Sequence, residues 1–204
     1  LDQGGLRRGL GDREIPQVYF GGASPPGLEV ASRYADVYLT WGEPLDAVAE
    51  KVRVIKEMAA GKDRSIRAGL RIHIITRDTE EEAWVEADRI IAGLDPAEVE
   101  KARERFSRME SVGQAKMAEL AHGGDDDLVI APNLWAGIGL VREGAGTAIV
   151  GSHEQVAERL LEYRDVGIDE FILSGYPHLE EALRFGEYVR PLVDQAMQPI
   201  LPGL

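Results

Sequence analysis

Between Ile66 and Thr76 the side chains change character at every step. Ile66, Ala68, Leu70, Ile72 and Ile74 fall on one face, and Arg67, Gly69, Arg71 and His73 fall on the other. A period of two is that of an extended strand. Helical patterns flank the run on both sides, with Val48, Val52 and Ile55 before it and Ala83, Ala87, Ile90 and Ile91 after it. A solvated edge strand of an antiparallel sheet fits poorly between two such helices. In a barrel, the apolar face would pack on the outer helices and Arg71 and His73 would point inward. Cationic or titratable side chains in that position are costly unless they are paired or meet a ligand. This face is therefore a candidate functional face.

Three further stretches have strand character. Gln17-Val18-Tyr19-Phe20 is bounded by Pro16 and Gly21-Gly22 and leads into a helical pattern from Leu28 to Ala35. Asp36 to Thr40 ends in Trp41-Gly42-Glu43-Pro44, and a helix follows to about Ala60. Glu170-Phe171-Ile172-Leu173 runs into Ser174-Gly175, and an amphipathic segment, Leu179 to Val193, begins just beyond Pro177. Strands near 17, 37, 70 and 171 alternate with helices and no stretch suggests an antiparallel hairpin, so the chain reads as α/β with parallel strands. In such folds ligands bind at the carboxyl ends of strands. Trp41, Tyr176 and His178 stand there. Taken alone, the last two are a tyrosine and a histidine on a polar loop.

The remaining segments carry less chemistry. Asp78 to Glu82 is an acidic helix start, and a second helix is expected from Pro96 to about Leu120, with a solvated charged face. His122 to Asp127 lacks the ligand spacing of a calcium loop and reads as a surface turn, and no metal site is expected. Residues 123–146 are punctuated by glycines around Trp135 and Arg142, a pattern expected of a functional lid. Ser152 and Gln155 have capping-box spacing, and Gly167 stops the helix that follows. Residues 1–14 have no periodicity, and the tail at 192–204 is expected to be poorly ordered. No internal domain boundary is visible.

Composition excludes several partners. With 36 acidic against 23 basic residues among 204, the net charge of −13 argues against nucleic acid and anionic membranes. Without cysteine there is no disulfide framework, thiolate metal site or cysteine nucleophile. No apolar run approaches the ~18 residues of a membrane span.

Ser174-Gly175-Tyr176-Pro177-His178-Leu179-Glu180-Glu181, Ala131-Pro132-Asn133-Leu134-Trp135-Ala136-Gly137 and Tyr19-Phe20-Gly21-Gly22 together resemble the FMN-dependent alkanesulfonate monooxygenases of the bacterial luciferase-like superfamily. The resemblance runs from about Pro16 to about Pro191. It implies the C-terminal half of a (β/α)8 TIM barrel, with a helical and lid region inserted between the last two strands. Four further β/α units would precede Leu1 in the parent protein. It also implies reduced FMN supplied by an NAD(P)H-dependent FMN reductase, O2 as co-substrate, and conversion of an alkanesulfonate to an aldehyde and sulfite. A cytoplasmic homo-oligomer is expected. Gly21, Gly22 and Ser24 would hold the FMN phosphate at a helix start, although Ser24 by itself is better read as an ordinary N-cap. Trp41 would wall the substrate pocket, although by itself it is equally a cap on the core. Arg71 and Arg142 would meet the sulfonate, with Arg142 closing over the site. His73, Tyr176 and His178 would handle protons. Another luciferase-like flavin enzyme acting on an alkane, sulfide or aldehyde is an alternative reading, as is a non-catalytic half barrel.

Overall fold

The computed structural model describes residues 16–95, 97, 128–141 and 144–197. Four parallel strands form its backbone: β1 (Tyr19–Gly21), β2 (Val37–Trp41), β3 (Arg67–Arg77) and β7 (Glu170–Ser174). Helices α1 (Pro25–Tyr34), α2 (Leu45–Ala60) and α3 (Glu80–Ile91) follow the first three strands, and α4 (His153–Asp165) leads into β7. β1 pairs with β2 and β2 with β3, while β7 pairs with β3 over Gly69 to His73. The sheet curls. β1 and β7 are separated by β2 and β3, yet Tyr19 Oη donates to Glu170 Oε2 at 2.8 Å. Arg67 on β3 pairs with the same carboxylate and donates to Gln17 Oε1 at 2.9 Å. A polar hoop thus closes the amino-terminal end of the concave face. The fold is a partial barrel of α/β type.

The period of two in β3 sorts its side chains as expected. Ala68, Leu70, Ile72 and Ile74 are buried against Val48 and Val52 of α2 and Val156, Ala157, Leu160 and Tyr163 of α4. This is the main core. On the opposite face, Gly69 is required, because a Cβ there would stand 2.6 Å from Leu39 Cδ2. β2 ends beside Arg71, where Gly42 N–H donates to Arg71 O at 3.1 Å. From that point the same edge of β3 is taken over by another strand, β6 (Ala148–Ser152), starting with His73 N–H donating to Thr147 O at 3.0 Å.

β6 corrects the sequence reading, which placed no strand there. Short β4 (Val129–Ala131) and β5 (Leu134–Trp135) also run antiparallel, β4 with β5 and β5 with β6, where no antiparallel pairing was expected. Asn133, at φ 57°, turns the β4–β5 hairpin. Residues 128–141 were expected to belong to a glycine-rich lid, but Ile130, Ala131 and Leu134 pack on the main core and other residues of the stretch build a second one. There Leu128, Trp135 and Ile138 lie buried with Ile75, Ala83, Ala87, Ala148 and Val150. Apolar burial outweighs the glycine content in this stretch. The helix expected from Pro96 to Leu120, the turn at 122–127, the irregular start at 1–14 and Arg142 lie outside the described residues.

The capping box before α4 forms as the spacing requires. Ser152 Oγ accepts from Gln155 N–H at 3.3 Å, and Gln155 Oε1 accepts from Ser152 N–H at 2.8 Å. Ser152→Ala should therefore lower stability by about 1 kcal/mol, read as a shift in the urea midpoint at unchanged slope. No shift would mean that the cap is satisfied by solvent. Gly167, at φ +102°, ends the helical run as expected.

The C-terminal helix is broken into three pieces: α5 (His178–Arg184), a π-helical turn (Phe185–Val189) and α6 (Arg190–Ala196). The first part of the expected tail is therefore helical. Pro191 sits in the first turn of α6, where its missing N–H costs nothing, and Leu192 and Val193 pack on the main core. No helix among the described residues is long and apolar enough to cross a membrane.

Candidate functional site

Two groups of side chains meet along the concave face of β3. The first lines a cleft of about 260 Å³ at the carboxyl ends of β1 and β2, formed by Gly21, Gly22, Ala23, Trp41, Lys51 and Arg71 with Glu43 and β2. The register places Trp41 directly beside Arg71. Gly21 and Gly22 present bare backbone here. A Cβ on Gly22 would stand 2.9 Å from Phe20 Cε1, so glycine is what fits between that ring and the cleft. Arg71 is half-buried, and its Nε–H finds no acceptor among the described residues. A guanidinium in that setting is suited to an anion entering the cleft.

The same cleft holds two groups that sequence reasoning passed over. Glu43 is 1% exposed and forms an ion pair with Lys51 of α2. Tyr163 Oη donates to the Glu43 backbone carbonyl at 2.6 Å, fixing the loop that carries it. The signal for Lys51 was present: it lies on the helical stripe of Val48, Val52 and Ile55, where a lysine is out of place without a partner. Tyr38, behind the cleft, has its hydroxyl pKa pushed up to about 12 by burial and then by the charge of Glu43. It stays protonated at physiological pH.

Ser24 is placed differently from the two glycines. It lies outside the cleft lining, and its Oγ accepts from Gly27 N–H at 3.3 Å as the N-cap of α1. That is the ordinary capping role which the sequence also allowed.

The second group is aromatic. His73 is 1% exposed, and its ring stacks on Tyr176 at 5.6 Å with an interplanar angle of 12°. Tyr176 meets His178 edge-on at 4.9 Å. Arg71 and His73 are two residues apart on one strand face, about 7 Å along the strand, so the two groups adjoin. The structure therefore brings Gly21, Gly22, Trp41 and Arg71 together at one cleft and His73, Tyr176 and His178 together beside it. His178 also faces a second cleft of about 460 Å³ under α5, lined by Ile74, Phe171, Leu173 and Glu181. The described residues contain no cluster of metal-ligating side chains.

Residues 5–170 match the family model of the luciferase-like monooxygenases. The chain belongs to that family. Solved structures place the luciferase-like chain in the same fold. A riboflavin lyase, solved with modified FMN and its substrate riboflavin, is 22% identical with a TM-score of 0.69, over 89% of this chain and 43% of the lyase chain. EDTA monooxygenase from Chelativorans sp. BNC1 is 24% identical with a TM-score of 0.61, over 90% and 48% of the two chains. DmoA from Hyphomicrobium sulfonivorans is 20% identical with a TM-score of 0.64, over 92% and 44%. The luciferase-like chain thus spans less than half the length of each of these three proteins.

Proposed function

We propose that this chain forms the carboxyl-terminal half of a (β/α)8 barrel in a reduced-FMN-dependent monooxygenase that desulfonates alkanesulfonates to an aldehyde and sulfite. The observation that carries the reading is Arg71: a half-buried guanidinium whose Nε–H has no acceptor among the described residues, set beside Trp41 in an open cleft. A sulfonate is a permanent monoanion with three acceptor oxygens, and its alkyl chain needs an apolar wall. Arg71 and Trp41 supply both, and Arg142 is read as a second cation for the same anion. A neutral alkane, sulfide or aldehyde substrate would leave Arg71 only the flavin phosphate to meet.

The cleft also suits FMN. Bare backbone at Gly21 to Ala23, with Lys51 and Arg71 opposite, fits a phosphate group, and Ser24 caps the helix that starts there. When bound, reduced FMN supplies the two electrons with which O2 is split, one oxygen atom ending in the aldehyde and the other in water. The flavin is reduced elsewhere, by an NAD(P)H-dependent FMN reductase. The chain's own residues bind, orient and move protons. Arg71 holds the sulfonate oxygens as the carbon–sulfur bond breaks, and the His73–Tyr176–His178 group takes the proton lost from the carbon that carried sulfur. The outer edges of β1 and β7, unpaired among the described residues, support completion of the barrel by four further β/α units; the whole is read as a cytoplasmic homo-oligomer.

The test is sulfite release from a series of linear alkanesulfonates by the complete enzyme, given reduced FMN and O2. Stoichiometric sulfite and aldehyde are expected. Oxygenation of a sulfide or alkane without sulfite from any sulfonate would overturn the substrate and leave the family.

A further inference from the structure

The turn that carries Tyr176 and His178 leads directly into a short helix. α5 is seven residues long, and its N-cap, Pro177, offers no side-chain hydrogen bond. What lies under the turn is Glu181. Its backbone N–H donates to Pro177 O at 3.1 Å. A Cβ on Gly175 would stand 2.4 Å from Glu181 Cβ, so the turn backbone rests directly on this side chain.

Glu181 is a buried carboxylate whose side chain is 2% exposed. Its Oε1 accepts from Arg77 Nη1 at 2.6 Å, while its Oε2 accepts nothing among the described residues. Arg184 approaches only to 3.9 Å. Arg77 is itself fixed. Its Nη1 also donates to Thr76 O at 2.6 Å, and its Nη2 stands 3.4 Å from Glu86 Oε2 on α3. Arg77 is the last residue of β3, the strand that carries Arg71 and His73. The charge beneath the turn is therefore anchored to the same rigid strand as the groups the turn must meet.

We propose that the Arg77–Glu181 ion pair is a positioning device, setting the Tyr176–His178 turn against His73. Neither residue lines the Arg71 cleft. They act through the turn, whose placement decides whether the His73–Tyr176 stack and the Tyr176–His178 contact form. The pair is asymmetric. Removing the arginine leaves a buried carboxylate with only Arg184, 3.9 Å away, as a partner among the described residues; closing on Arg184, reaching water or capturing a proton each shifts the turn. Removing the carboxylate's charge leaves an amide that can still accept from Arg77. Misplacement of a reacting group by about 1 Å is enough to lose about 10²-fold in rate.

The test uses Arg77→Met, Glu181→Gln and Arg77→Lys in the complete enzyme, with one readout independent of turnover. The ring carbons and protons of His73 and His178 both feel the Tyr176 ring current, so their NMR shifts report the position of the turn. Both should move most in Arg77→Met, less in Glu181→Gln and least in Arg77→Lys. The kinetic arm rests on the desulfonation reading. There kcat should fall about 10²-fold in Arg77→Met with KM for the sulfonate little changed, and Arg77→Lys should recover most of the loss. In a Tyr176→Phe background the loss from Arg77→Met should shrink, because both changes act on one group. Lower thermal stability with unmoved His73 and His178 signals and unchanged kcat in the folded fraction would reduce the pair to a structural one and overturn the proposal. Shifted ring signals in an enzyme that releases no sulfite even as wild type would leave the positioning role standing and refute the substrate. If Arg77→Met does not fold, the order of Glu181→Gln and Arg77→Lys decides the matter in the same way.

Discussion

Replacing Trp135 by alanine should lower the stability of the folded protein by about 3–5 kcal/mol, an effect large enough to approach global unfolding. The indole is 3% exposed and lies among Ile75, Ala83, Ala87, Leu128, Ile138, Ala148 and Val150. It also lies flat on the chain that follows it, since a Cβ on Gly137 would come within 2.0 Å of Trp135 Cζ2. Backbone on one side and a packed core on the other leave the cavity little room to collapse. In a chain of this size the loss corresponds to a fall in Tm of roughly 10 °C, measurable by calorimetry with the urea slope as a check on two-state behaviour. A free-standing lid would behave differently, because truncating a side chain on a mobile segment changes stability by about 0.5 kcal/mol or less. A value that small would return residues 128–141 to the lid class.

Arg71→Met should reduce kcat/KM for sulfonates by about 10²-fold or more in the complete enzyme, the range expected when one partner of a desolvated charged contact is truncated. Methionine keeps most of the apolar stem and removes the charge, so packing beside Trp41 is preserved while the anion loses its partner. The folded state should not suffer. Arg71 has no ion pair among the described residues, and its Nε–H is buried without an acceptor, so its replacement by an apolar side chain is neutral or slightly stabilising. A drop in activity with Tm unchanged or raised is thus the expected pair of results. Undiminished turnover of sulfonates would show that Arg71 faces no substrate anion.

The alternation in β3 was enough to separate its helix-packed face from its concave face, because a period of two leaves only one way to bury Leu70, Ile72 and Ile74 together. Arg71 and His73 then had one direction left. β1, β2 and β7 were legible for a similar reason: each is a short apolar run closed by glycine or proline. β6 was not legible, although Ala148-Ile149-Val150 has the composition of a strand. Its place depends on β3 continuing past the point where β2 stops, which only the folded sheet reveals. The β4–β5 hairpin was hidden by neighbouring glycines, and its clue was Pro132-Asn133, a turn dipeptide whose asparagine accepts a positive φ. Ion pairs such as Glu43–Lys51 and Arg77–Glu181 join separate elements, and sequence spacing carries no trace of the second.

The hoop of Tyr19, Arg67 and Glu170 ties together residues 151 positions apart in the chain. During synthesis, Tyr19 and Arg67 leave the ribosome long before the carboxylate they share. Until Glu170 arrives, the Arg67–Gln17 hydrogen bond is the contact that spans β1 and β3 at that end, and the carboxylate that completes the hoop is missing. The shape of the binding surface is consequently decided by a strand made long after β1 to β3. Contacts of such long range form slowly and leave the nascent sheet exposed to wrong partners in the interval. A cell making this protein would have to shelter a flat, unfinished sheet for about as long as it takes to translate the region between β3 and β7.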